Sequence, residues 1–107
     1  MNAKYFKEQI NEELEGAKDY IELALTYRAT NPEWATNFVD MSATELEHAD
    51  KLYTMWNEYC AKNYPDSNST VDEWKMCITD MYLDGVANVK SMHEFYNKSK
   101  PTVPLTK

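Results

Sequence analysis

Three polar residues stand where an apolar helix face calls for carbon. Along Phe6, Ile10, Glu13, Ala17, Tyr20, Ala24 and Tyr27 the spacing alternates four and three, as one face of a helix requires. A second row with the same alternation reads Trp34, Phe38, Met41, Glu45, His48, Leu52, Met55 and Tyr59. The carboxylates Glu8, Glu12, Glu15, Asp19 and Glu22 fall off the first row, and Glu33, Asp40, Glu47, Asp50 and Glu58 fall off the second. Only Glu13 and Glu45 are acids on the rows, and His48 follows Glu45 one turn later. An ionised carboxylate in an apolar bundle is strongly disfavoured unless it is paired or coordinates a cation. Glu45 and His48 project from one helix face toward one point. Antiparallel pairing of the two segments brings Glu13 level with them. Two carboxylates and an imidazole form a ligand set for a divalent transition metal. A Glu13–His48 ion pair or an interhelical hydrogen bond satisfies the same groups with no metal. Tyr20, on the Glu13 row, is either plain core or a hydroxyl that hydrogen-bonds the site.

The elements that must position these residues are legible from their ends. The first helix is predicted from about Ala3 to Ala29 and is stopped at Thr30-Asn31-Pro32, because Pro32 disfavours helix in the residue before it. The second is predicted from Pro32 to Asn63, with Asn31 as N-cap, Pro32 in the first turn and Glu33 complementing the helix dipole. Tyr64 to Ser69 is loop by composition. Ser69 or Thr70 then caps a third helix running to about Lys98, Thr70 and Glu73 having the spacing of a capping box. Its apolar row is Val71, Trp74, Ile78, Met81, Gly85, Val89, Met92 and Tyr96, with Tyr82, Val86 and His93 at one margin. The expected fold class is all-α. Three long antiparallel helices fill residues 1–98, and residues 99–107, with Pro101 and Pro104, form an extended tail.

Composition agrees with long helices. The chain has 107 residues, of which 43% are hydrophobic, and only 2 are Gly, so one helix-rich domain with a real core is expected. The formal charge of −7 disfavours nucleic-acid backbones and anionic membrane surfaces. Cys60 and Cys77 make no C-x-x-C or zinc-ribbon spacing and read as free buried thiols in a reducing compartment. The opening residues contain no apolar run of a signal peptide, and no stretch is long enough to span a bilayer. A soluble, cytoplasmic protein is expected. Two glycines, Gly16 and Gly85, make no phosphate loop, and no Ser/His/Asp set with a nucleophile elbow is present. Met41, Met55, Met81 and Met92 read as core filler, and Trp34, Trp56 and Trp74 as packing anchors.

Two motifs carry a family resemblance. Glu13-Leu14-Glu15-Gly16-Ala17-Lys18-Asp19-Tyr20 resembles the E-x-x-A-x-x-x-Y ligand helix of the rubrerythrin branch of the ferritin-like superfamily, with Gly16 in place of the usual Ala. Met41-Ser42-Ala43-Thr44-Glu45-Leu46-Glu47-His48-Ala49 resembles its E-x-x-H-A helix. The resemblance covers about residues 5 to 60. It implies a carboxylate-bridged di-iron centre, with Glu13 as the lone first-helix ligand, Glu45 as the bridging carboxylate and His48 as the terminal nitrogen ligand. Such centres react with oxygen or peroxide, or oxidise and store iron; manganese and zinc take similar ligands. The departure is equally clear. The second half has no E-x-x-H, and the third row carries no carboxylate, since Asp80 and Asp84 fall outside it. One chain therefore has half a site. Either a homodimer or higher homo-oligomer completes it, or the fold is kept without the chemistry as a structural or assembly protein. The short three-helix form also resembles small bacteriophage open reading frames, for which a virion role and a protein partner for the tail are expected alternatives.

Overall fold

The computed structural model describes residues 2–99, and these are all-helical, with no strand among them. Helix α1 spans Ala3–Tyr27, α2 spans Pro32–Asn63 and α3 spans Ser69–Lys98. The expected tail lies outside the described residues, apart from Ser99.

Local chemistry sets the ends. Asn31 caps α2, its side-chain oxygen accepting from the Trp34 amide at 3.1 Å, and Pro32 begins the helix. The third helix is capped one residue earlier than expected. Asn68 accepts from the Val71 amide at 3.2 Å, which puts Ser69 and Thr70 inside the first turn and leaves no Thr70–Glu73 box.

The chain reverses direction at each loop. Phe6, near the start of α1, meets Trp56 near the end of α2, with ring centroids 5.5 Å apart. At the other end Tyr27 meets Trp34 at 5.4 Å. Helix α3 returns alongside α1: Val71 joins the Phe6 cluster, and Ser99 accepts from the guanidinium of Arg28, which also lies over the Phe95 ring. Tyr53 and Tyr82 stack at 4.0 Å and join α2 to α3, with the Tyr53 hydroxyl 2.9 Å from Thr79 Oγ1 and the Tyr82 hydroxyl donating to Asp50. Burial and the Asp50 acceptor push the Tyr82 phenol up to about 12.

The core divides into two clusters. Phe6, Ile10, Leu14, Ala49, Trp56, Cys60, Val71 and Ile78 fill one end. Ala17, Ile21, Ala24, Ala35, Val89 and Tyr96 fill the other, and half-buried Leu46 packs against both. The buried row of α3 is the expected one. That of α2 is rotated by one residue: Ala35, Ser42, Ala49 and Trp56 are fully buried, whereas Trp34, Met41 and Met55 are exposed by 52%, 41% and 51%. Small residues on α2 let it lie close to Ala17 and Ala24 of α1, and helix spacing depends on that contact. On α1 the buried positions are Leu14 and Ile21, not their neighbours Glu13 and Tyr20. Trp34, Met41 and Met55 are thus not the core expected of them, and Cys77 is exposed while Cys60 is buried. No helix among the described residues is long and apolar enough to cross a membrane.

Candidate metal centre

The one-residue rotation decides where the three polar residues sit. Glu13, Glu45 and His48 do not enter the core. They line the α1–α2 groove on an open flank. Helix α3 packs on the other flank, meeting α1 at Leu14 and α2 at Ser42, Asp50 and Tyr53.

The three side chains nevertheless converge. His48 Nδ1 lies 3.3 Å from Glu13 Oε2 and 3.8 Å from Glu45 Oε1. One ligand atom from each residue falls within 4.8 Å of the others, the one such cluster of His, Cys, Asp or Glu found among the described residues. The carboxylates are about a quarter exposed and the imidazole 46% exposed, so the centre is reachable from solvent. The three groups act on one another electrostatically. Hydrogen bonding between the Glu13 and Glu45 carboxyls raises Glu45 above its ordinary 4.5, burial and repulsion by Glu13 add to the rise, and His48 opposes it.

Tyr20 does not hydrogen-bond the trio. It lies beside it, lining a cleft of about 310 Å³ with Glu45, Asp40, Met41 and Thr44, and its ring stacks on Phe38 at 6.3 Å.

Two features escaped the sequence. One is a polar clasp through all three helices. Buried Ser42 donates to the Ala17 carbonyl at 2.6 Å and stands 2.9 Å from His93 Nε2. The serine proton is committed to the carbonyl, so His93 Nε2–H is the donor to Ser42 Oγ. With its hydroxyl buried and engaged, Ser42 is a structural link and no nucleophile. Its period of seven with Ala35 and Ala49 was the available signal. The other is Gly16, whose missing side chain faces Glu45; only the pairing of the helices reveals this.

The candidate ligand set therefore comes from two helices, is partly open to solvent and has no counterpart on α3. Comparison with family models, with curated proteins and with solved structures returned no match for this chain.

Proposed function

We propose that Glu13, Glu45 and His48 bind a divalent transition-metal ion, iron first among candidates, and that a second copy of the chain completes a two-ion centre with the same residues. The observation that carries this reading is the convergence of the three donors, 35 positions apart in sequence for Glu13 and His48, within 4.8 Å of one another. The distances fit the chemistry. Two donors on one ion stand at most about 4.2 Å apart when each bond is about 2.1 Å, so the two imidazole–carboxylate separations of 3.3 and 3.8 Å suit a shared ion. Mixed carboxylate and imidazole ligation suits iron, and manganese and zinc accept the same set.

Each residue has a role of its own. His48 turns Nδ1 toward both carboxylates, which makes Nδ1 the donor atom. Glu13 and Glu45 balance the charge of a cation. Bound iron would supply electron transfer toward oxygen or peroxide. A ferroxidase or peroxide-handling protein, ferritin-like and of the rubrerythrin kind, is the reading that joins this geometry to the two motifs; it goes with a cytoplasmic setting. The second copy rests on the family pattern that the two motifs resemble, in which a second set of ligands surrounds a second ion, and on the exposed apolar side chains beside the trio.

A second reading is a non-enzymatic scaffold on the same fold, virion-associated or otherwise, with the 99–107 tail docking on a partner. The exposed Trp34, Met41 and Met55 favour it, because they offer a docking face that needs no metal.

Elemental analysis combined with solution mass separates the two. The first reading expects about one ion per chain in a dimer, with metal lost and the dimer weakened by Glu45→Ala. A dimer that stays metal-free after growth with added iron, and that survives Glu45→Ala, overturns the first reading in favour of the scaffold.

A further inference from the structure

Four aromatic side chains form an unbroken row along the uncovered flank of α1 and α2. Trp34 meets Tyr27 with ring centroids 5.4 Å apart, Tyr27 stacks on Phe38 at 6.0 Å, and Phe38 stacks on Tyr20 at 6.3 Å. The rings come alternately from α2 and α1, so the row is furrowed. Tyr27, Phe38 and Tyr20 are half-buried, while Trp34 is exposed. Such a row offers apolar ring faces together with an indole N–H and phenol hydroxyls at its edge.

The sequence holds a segment suited to that surface. Residues 100–107 read Lys-Pro-Thr-Val-Pro-Leu-Thr-Lys, and Pro101 and Pro104 have the spacing P-x-x-P. Segments of this kind favour the polyproline II conformation, which has no internal hydrogen bonds and loses little entropy on docking, and they bind aromatic-lined grooves. Residues three apart in that conformation lie on one edge, about 9 Å from each other. Pro101 and Pro104 can therefore occupy the furrows on either side of the Tyr27–Phe38 contact.

The fold delivers this segment to one end of the row. Ser99 accepts from the Arg28 guanidinium, and Arg28 follows Tyr27 directly in the chain. Pro101 is two residues further on, a reach of about 6 Å. Charge agrees with the same direction. The segment carries Lys100 and Lys107 and no acid, and the cleft at the far end of the row is lined by Asp40 and Glu45 beside Tyr20.

We propose that residues 100–107 fold back over the Trp34–Tyr27–Phe38–Tyr20 row of their own chain, with the two prolines in the furrows and the Trp34 indole N–H donating to a carbonyl of the segment. The occupant is the chain's own segment because the Arg28–Ser99 hydrogen bond starts it beside the row. Glu13 and His48 are not part of the row, so the interaction holds with or without a metal ion and goes beyond both functional readings.

The test follows the indole N–H signals of the nitrogen-15-labelled full chain by NMR, with that of Trp34 assigned through Trp34→Phe. Two variants are compared with wild type: the full chain with Pro101→Ala and Pro104→Ala together, and a chain ending at Ser99. Both alter residues beyond α3, so helical circular dichroism is expected to be unchanged. The Trp34 signal is expected to shift in the same direction in both variants, and that of buried Trp56 to stay in place. A Trp34 signal in one position for all three proteins would overturn the proposal. So would a shift on truncation that the proline pair does not reproduce, because the polyproline mode would then play no part. A shift that disappears on dilution as a dimer dissociates would give the row to a second copy and overturn the intrachain contact.

Discussion

His93 is the residue whose environment makes the sharpest demand on solvent conditions. Burial pushes its ring below the ordinary 6.5, and Ser42 occupies its Nε2–H. The unfolded chain takes up a proton before the folded one does. Stability from this group is therefore present above pH 6.5 and is lost as pH falls toward the lowered folded value. Glu45 works in the other direction above its ordinary 4.5, because the folded chain holds that proton more tightly. Comparison with His93→Gln isolates the histidine. The drop in melting temperature between about pH 7.5 and about pH 5.5 should be larger for wild type than for the variant; equal drops would show that His93 does not titrate on unfolding in that window. Such a clasp was not legible in the chain. His93 lay at the margin of its row, and nothing in a helical repeat of α3 says that a serine on α2 waits opposite it.

Helix ends are decided by the first few residues and so were largely readable. Pro32 cannot continue α1 and is at ease beginning α2, and Asn31 completes the cap whatever the rest of the chain does. The third helix shows the limit of the same logic. Asn68, Ser69 and Thr70 are all good caps in isolation, and the choice among them depends on where the loop delivers the chain. Asn68 holds the Val71 amide, so Asn68→Ala is expected to cost about 1 kcal/mol in urea unfolding, while Thr70→Ala, already inside the helix, changes little. The reverse ranking would place the cap where the sequence alone had placed it.

Taken whole, the molecule has one covered flank and one uncovered flank on its α1–α2 pair. Four of the eight exposed large hydrophobics, Leu23, Trp34, Met41 and Met55, stand on the uncovered side, beside the row that carries the trio. Phe38, Leu52 and Tyr59 lie half-buried along the same α2 row. A twofold copy docked there would bury this surface and face one donor set with another. Joint Met41→Lys and Met55→Lys substitution is expected to convert a dimer to a monomer by light scattering while leaving the helical circular dichroism intact; a variant that remains dimeric would move the interface elsewhere.

The all-helical class, the three helices of the described residues, most of their ends and the buried row of α3 were already present in composition, caps and periodicity, because those signals act within a few residues. The clustered trio Glu13, Glu45 and His48 was legible too, as acids and an imidazole in phase along two helices. Their depth was not. Two rows one residue apart on α2 share the same period, one of large apolar residues and one of Ala35, Ser42 and Ala49, and periodicity alone cannot rank them. Close packing against α1 chose the small row for the inside, because large side chains there would hold the helices apart. That choice turned Glu13, Glu45 and His48 out to an open groove and set the Glu45 carboxylate against Gly16, so the site's exposure and its fit are properties of how the helices meet.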